Sequence, residues 1–134
     1  MKCILTGGRS SIERAQIATI RSSTRSEMID LSGRTDLLTL AAIVRKARLL
    51  ITVDSAPMHF AAAWDIPQVV LFGPTNPFHW HPRSQFALVL LGEFQGPLSQ
   101  FNPRQEAVPM NQISTQSVID AMESLLSAPA ASAL

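Results

Sequence analysis

Cysteine is almost missing from this chain: Cys3 is the single one among 134 residues. It cannot close an internal disulfide, and its apolar neighbours predict a buried small hydrophobe. An excess of one charge is missing too. The formal net charge is +1, so no broad field draws the chain to nucleic acid or an anionic membrane. No apolar run approaches the ~20 residues that a membrane span needs. The start, Met1-Lys-Cys-Ile-Leu-Thr-Gly7-Gly8, is too short for a signal peptide, and a cytoplasmic location is expected. No Gly-x-Gly-x-x-Gly occurs, which leaves a dinucleotide fingerprint unsupported. No Gly-x-Ser-x-Gly elbow occurs either, and Cys3 has no evident His partner for nucleophilic catalysis. His79-Trp80-His81 has no Cys or carboxylate cluster at ligand spacing beside it, so neither a metal nor another cofactor is expected.

Apolar residues are plentiful. Hydrophobic residues make up 46% and charged residues 16% of the chain, which argues for a packed core in one domain. Strand-like and helix-like segments alternate. Lys2 to Thr6 reads as a short buried strand stopped by Gly7-Gly8. Ser10 or Ser11 can cap a helix carrying Ile12, Ala15, Ile17, Ala18 and Ile20, followed by a polar loop from Ser22 to Ser26. Met28 to Leu31 is a strand candidate. Thr35 or Asp36 can cap the next helix, whose C-terminal Arg45, Lys46 and Arg48 suit the helix dipole. Asn76 to Arg83 reads as a loop, Phe86 to Leu91 as a strand, and Gly92 to Asn111 as turn-rich. A last helix begins at Ser114 or Thr115. This alternation predicts an α/β fold: a Rossmann-like parallel sheet with flanking helices over residues 1–127, then a frayed tail over 128–134.

The segment from Leu49 to Thr75 holds the candidate chemistry. An apolar run, Leu49 to Val53, ends in Asp54-Ser55; a helix follows from Pro57 to Trp64; a second apolar run, Gln68 to Phe72, ends in Gly73-Pro74-Thr75. Ligands of open parallel sheets sit at the carboxyl ends of the strands. A helix start with Ser55 as N-cap and Pro57 in the first turn is a ready anion site. The plain alternative, that Asp54 and Ser55 only cap the helix, carries equal weight on spacing alone. His59 would lie in the same first turn, close to a bound phosphate, or else be a packed, hydrogen-bonded residue. Gly7-Gly8 could let the backbone approach a ligand or could serve a turn needing positive φ. Thr75 could face a phosphate or merely follow a turn.

The run Leu31-Ser-Gly-Arg-Thr-Asp-Leu-Leu-Thr-Leu-Ala-Ala-Ile-Val-Arg-Lys-Ala-Arg-Leu-Leu-Ile-Thr-Val-Asp54-Ser-Ala-Pro-Met-His-Phe-Ala-Ala-Ala, followed by Leu71-Phe-Gly-Pro-Thr-Asn-Pro, resembles glycosyltransferase family 9, the ADP-heptose:lipopolysaccharide heptosyltransferases. The pattern covers about half the chain. The resemblance implies a GT-B architecture, with this chain an incomplete C-terminal, nucleotide-sugar-binding half. It implies that Asp54, Ser55, Ala56 and His59 hold the diphosphate and sugar of ADP-heptose, that Thr35 lies by the adenine, and that an early carboxylate, Glu13 being nearest, contacts the ribose. Ala56 stands where many members have glycine. The acceptor-binding domain with its catalytic base, and the first strand and helix of the nucleotide domain, have no counterpart in these residues. An upstream segment is therefore expected.

The resemblance further implies a nucleotide-sugar partner, a lipopolysaccharide core acceptor engaged only with the other domain, and a place in the cytoplasm, at most peripheral at the inner membrane. The competing expectation is a non-catalytic module that self-associates through an exposed sheet edge or cleft. Another GT-B enzyme, such as a sugar-nucleotide epimerase, is disfavoured by the Leu-Ser-Gly and Phe-Gly-Pro-Thr context.

Overall fold

The computed structural model describes residues 2–73, 75, 77–92 and 109–127. Most of the expected turn-rich stretch after Gly92, and the expected tail over 128–134, lie outside the described residues. Chain contacts divide the protein into two compact units, Met1–Ala42 and Ile43–Leu134.

In the first unit, strand β1 (Cys3–Leu5) leads to helix α1 (Ser11–Ser23), strand β2 (Met28–Asp30) and the start of helix α2 (Leu37–Arg45). β1 and β2 pair in parallel, with Cys3 opposite Met28 and Leu5 opposite Asp30. Of the two serines that could cap α1, Ser10 does so: its Oγ accepts the Glu13 N–H at 3.2 Å. The helix runs two residues into the expected polar loop, ending at Ser23. At α2 the cap is Asp36 rather than Thr35, because Asp36 Oδ1 accepts the Thr39 N–H at 2.7 Å. Cys3 is exposed, contrary to the buried position expected of it. A three-residue strand paired on one side is too short to enclose its own side chains.

In the second unit, strands β3 (Leu50–Val53), β4 (Gln68–Phe72) and β5 (Ala87–Leu91) form a parallel sheet in that order. Helix α3 (Ala56–Ala63) makes the crossover from β3 to β4 and packs on both; helix α5 (Thr115–Ser127) packs on β4 and β5. β4 is central and carries a continuous Gln-Val-Val-Leu-Phe run, the pattern of a strand covered on both faces. Met58 of α3, Val70 and Phe72 form the buried cluster, with Val89 and Leu91 packed against it. Side chains alternate along a strand, so Val69 and Leu71 face the other side, where Val69 is equally buried. Gln68 is the buried polar residue of this core: its Nε2 donates to the Met58 carbonyl at 3.2 Å and ties α3 to the foot of β4.

The stretch expected to be a loop around Asn76 to Arg83 contains a one-turn helix, α4 (Pro77–Trp80). Pro77 supplies a pre-set φ at its first position, and the backbone N–H and Nδ1 of His81 both approach the Pro77 carbonyl, at 2.8 Å and 2.7 Å. A short 3-10 turn, Met110–Gln112, precedes α5.

Candidate functional site

The site in the second unit is built where β3 ends. Pairing in parallel with Val53 opposite Leu71 brings the ends of β3 and β4 to one edge of the sheet. That edge carries Asp54, Ser55 and the start of α3 from the first strand, and Thr75, exposed, from the second. Helix α3 is turned by its apolar residues. Met58 and Ala61 point into the core, which leaves Ala56 and His59, three residues apart, exposed together on the first turn.

Ser55 sits at the N-cap position in extended conformation, but its hydroxyl does not cap the helix. It turns back instead: Ser55 Oγ donates to the Val53 carbonyl at 3.2 Å and lies 3.3 Å from Thr52 Oγ1, which donates to the same carbonyl at 3.1 Å. The capping role expected of Ser55 is thus corrected, and the competing acceptor is the strand-end carbonyl. Met58 N–H closes the first turn onto the Ser55 carbonyl at 3.0 Å. Among the described residues, the N–H groups of Ser55 and Ala56 find no acceptor. Pro57 has no N–H to satisfy. The half-buried Asp54 carboxylate likewise makes no hydrogen bond to a described residue. The edge therefore offers backbone donors at the positive end of a helix beside an uncommitted carboxylate. Donors of this kind take phosphate oxygens, and such a carboxylate takes hydroxyl protons.

A second cluster lies in the first unit, at the carboxyl ends of β1 and β2. Glu13 Oε1 accepts the Gly8 N–H at 2.8 Å and Oε2 accepts the Ser10 hydroxyl at 2.7 Å. These bonds, the Ser10 hydroxyl foremost, hold the Glu13 carboxyl below its ordinary value. A Cβ at Gly8 would stand 2.6 Å from Glu13 Oε2, so the glycine is there to admit that carboxylate. Neither Gly7 nor Gly8 has a positive φ, which removes that alternative; among the described residues the glycine that does is Gly33, at +67°. Its N–H donates to the Gly7 carbonyl at 2.8 Å, and its own carbonyl accepts from Arg9 Nε at 2.9 Å. Thr35, half-buried, precedes α2 with Asp36 doing the capping.

The structure thus brings Asp54, Ser55, Ala56 and His59 together on one helix start, with Thr75 at the same sheet edge. It gathers Gly7, Gly8 and Glu13 into a separate cluster within the first unit. The sequence reading passed over Thr52 and Arg9. Thr52 is visible only as a half-buried threonine one residue before a strand end. Arg9 had a clearer signal, a cation directly following two glycines. Among the described residues no group of three His, Cys, Asp or Glu could hold a metal ion. No helix among them is long and apolar enough to cross a membrane.

Comparison with known proteins identifies the family. Residues 1–105 match the family model for glycosyltransferase family 9 (heptosyltransferase). Lipopolysaccharide heptosyltransferase 3 of Escherichia coli (strain K12) is 33% identical over 132 residues, covering 97% of this chain and 38% of the relative. Lipooligosaccharide heptosyltransferase 2 of Haemophilus ducreyi is 38% identical over 64 residues, covering 46% of this chain and 18% of the relative. The crystal structure of the glycosyl transferase family 9 protein from Veillonella parvula DSM 2008 superposes with a TM-score of 0.75 at 30% identity, over 93% of this chain and 36% of that one. E. coli ADP-heptose LPS heptosyltransferase II superposes with a TM-score of 0.71 at 24% identity, over 92% of this chain and 35% of that one, a likeness of fold. The chain spans 38% of the length of the first of these relatives. With parallel sheets, flanking helices and matches that run over most of its length, this chain belongs to glycosyltransferase family 9.

Proposed function

We propose that this chain is the nucleotide-sugar-binding part of a heptosyltransferase of lipopolysaccharide core synthesis, with ADP-heptose or a similar nucleotide sugar as its ligand. The observation that carries the reading is the unfinished start of α3: backbone donors that find no acceptor among the described residues, beside an Asp54 carboxylate that has no partner among them. A diphosphate would take the Ser55 and Ala56 N–H groups and the helix dipole. Asp54 would accept from sugar hydroxyls, since a carboxylate repels phosphate but welcomes O–H donors. His59, exposed on the same turn, and Thr75 would border the diphosphate. The resemblance adds Thr35 beside the adenine and Glu13 towards the ribose.

In an inverting transfer, the acceptor hydroxyl attacks the anomeric carbon as its bond to the diphosphate breaks. Negative charge grows on the departing phosphate oxygens, and fixed N–H donors stabilise it without reorganising. The acceptor hydroxyl must also lose its proton to a base. We assign that base to residues beyond these 134, so the isolated chain binds donor without transferring sugar.

Calorimetric titration with ADP and with ADP-heptose tests the binding. Asp54→Ala should weaken ADP-heptose about tenfold or more while affecting ADP less, because the lost partner belongs to the sugar. Equal affinities in wild type and variant would sink the assignment. Heptose transfer by the isolated chain would overturn the division of labour.

A further inference from the structure

We propose, on the basis of the sugar-binding role proposed for Asp54, that Thr52 is a positioning residue: together with Ser55 it fixes the Val53–Asp54 peptide and so aims the Asp54 carboxylate. That carboxylate has no anchor of its own. It is half-buried, and it makes no hydrogen bond or ion pair to a described residue. A side chain without partners points where its backbone and rotamer send it. The peptide that enters Asp54 therefore sets the geometry of this part of the site.

The sheet does not hold that peptide. In the first unit, bonds between strands run on past the end of β2: the Leu31 N–H donates to the Leu5 carbonyl at 2.9 Å and the Gly33 N–H to the Gly7 carbonyl at 2.8 Å. In the second unit, the Leu50 N–H donates to the Pro67 carbonyl at 2.9 Å. A parallel ladder advances by two residues on each strand, which would carry the Asp54 N–H to the Leu71 carbonyl. That bond is not made: among the described residues the Asp54 N–H finds no acceptor.

Two hydroxyls take over. The Val53 carbonyl, the other polar group of the same peptide, accepts from Thr52 Oγ1 at 3.1 Å and from Ser55 Oγ at 3.2 Å, and the two hydroxyl oxygens lie 3.3 Å apart. A carbonyl oxygen has two lone pairs, so both donors can be taken at once. The peptide is planar, so a carbonyl held from both flanking sides fixes the Asp54 N–H and the bond to the Asp54 Cα. The two donors differ in standing. Thr52 is half-buried within β3, and β-branching restricts its χ1; Ser55 lies outside any strand. Thr52 is thus the donor that ties the turn to the sheet. A threonine that merely satisfied its own hydroxyl on the nearest carbonyl would leave Asp54 unaffected when removed, since Ser55 would still hold that carbonyl.

Calorimetric titration of the whole 134-residue chain with ADP and with ADP-heptose tests this in Thr52→Val, Thr52→Ser, Asp54→Ala and the Thr52→Val/Asp54→Ala double variant. Valine keeps the branched shape and lacks the hydroxyl. Thr52→Val should weaken ADP-heptose about fivefold and ADP less than about twofold, because the displaced group serves the sugar. Thr52→Ser keeps the donor and should bind as wild type does. In the Asp54→Ala background Thr52→Val should add nothing, since it acts only through that carboxylate. In the free chain, residual dipolar couplings of the Asp54 N–H should shift in Thr52→Val and return in Thr52→Ser. Equal losses for both ligands, a loss that persists in the Asp54→Ala background, or Thr52→Ser behaving like Thr52→Val would each show a merely structural threonine and overturn the positioning role. Unchanged couplings, or an ADP-heptose affinity that Asp54→Ala weakens and Thr52→Val does not, would overturn that role alone. Asp54→Ala without effect would overturn the sugar-binding role and the positioning role with it.

Discussion

Glu13 shows how one side chain organises a turn that looked, in sequence, like two flexible glycines. Its carboxylate accepts from Gly8 and Ser10 while its own N–H is capped by Ser10. The folded carboxyl is held below the ordinary 4.5, by the Ser10 hydroxyl first and the Gly8 N–H second. A lowered carboxyl contributes stability above its unfolded value, and that contribution is lost as pH falls through the folded value. Asp30, held down by Ser32, and Asp36, held down by Thr39, act in the same direction from 3.8. Thermal midpoints should therefore fall as pH drops from about 5 to 3. Glu13→Gln should flatten the upper part of that decline; an unchanged profile would show that its bonds add nothing in solution. Gly8→Ala should displace the Glu13 carboxylate and remove its bond from the Gly8 N–H, read as a small fall in the thermal midpoint. Gly33→Ala forces a left-handed residue to carry a Cβ and should cost about 1–2 kcal/mol in urea unfolding.

The elements of the second unit were the most legible. β4 was expected over Gln68 to Phe72 and occurs at Gln68–Phe72, because Pro67 and Gly73 bracket an unbroken apolar run. α3 was expected one residue late. Its start depends on where the Ser55 hydroxyl turns, and a strand-end carbonyl competing for that hydroxyl leaves no trace in spacing. α4 was missed because two prolines and two histidines read as a loop, whereas a single turn needs only Pro77 and one carbonyl bond. Cys3 and Ile4 looked interior by composition and are exposed, since period-2 patterns report what a strand could bury and not what lies beside it. The candidate site was legible in its residues and not in its hydrogen bonds. Phe72→Ala, in the core shared by α3 and the sheet, should cost about 3–5 kcal/mol by urea denaturation. Gln68→Leu should be close to neutral, because it removes the Met58 bond and an oxygen that has no partner among the described residues together.

At the scale of the whole chain, stability is unevenly distributed. The first unit has two strands of three residues and no fully buried side chain among its described residues, and the second has the Met58–Val70–Phe72 cluster. Isolated two-stranded sheets are marginal in water. Native-state amide exchange should therefore find the β4 amides the most protected and those of β1 and β2 among the least. Uniform protection would contradict this. Charge is divided unevenly as well. Residues 1–42 hold six Lys or Arg against four Asp or Glu, which leaves −1 for the remainder of a chain of net +1. Neither part has the field of a nucleic-acid binder. The nucleotide sugar of the proposed function would then be held by local donors such as those at α3.

The unfinished start of α3 sets affinity against rigidity. A side chain that capped the helix would stabilise it at all times, and a carboxylate there would repel the anion that the Ser55 and Ala56 N–H groups are free to take. Ser55→Asp, which places a stronger acceptor at that position, should raise the thermal midpoint of the free protein and abolish its rise with ADP. The serine that turns away keeps the free protein less stable than its sequence permits, and a ligand becomes the cap.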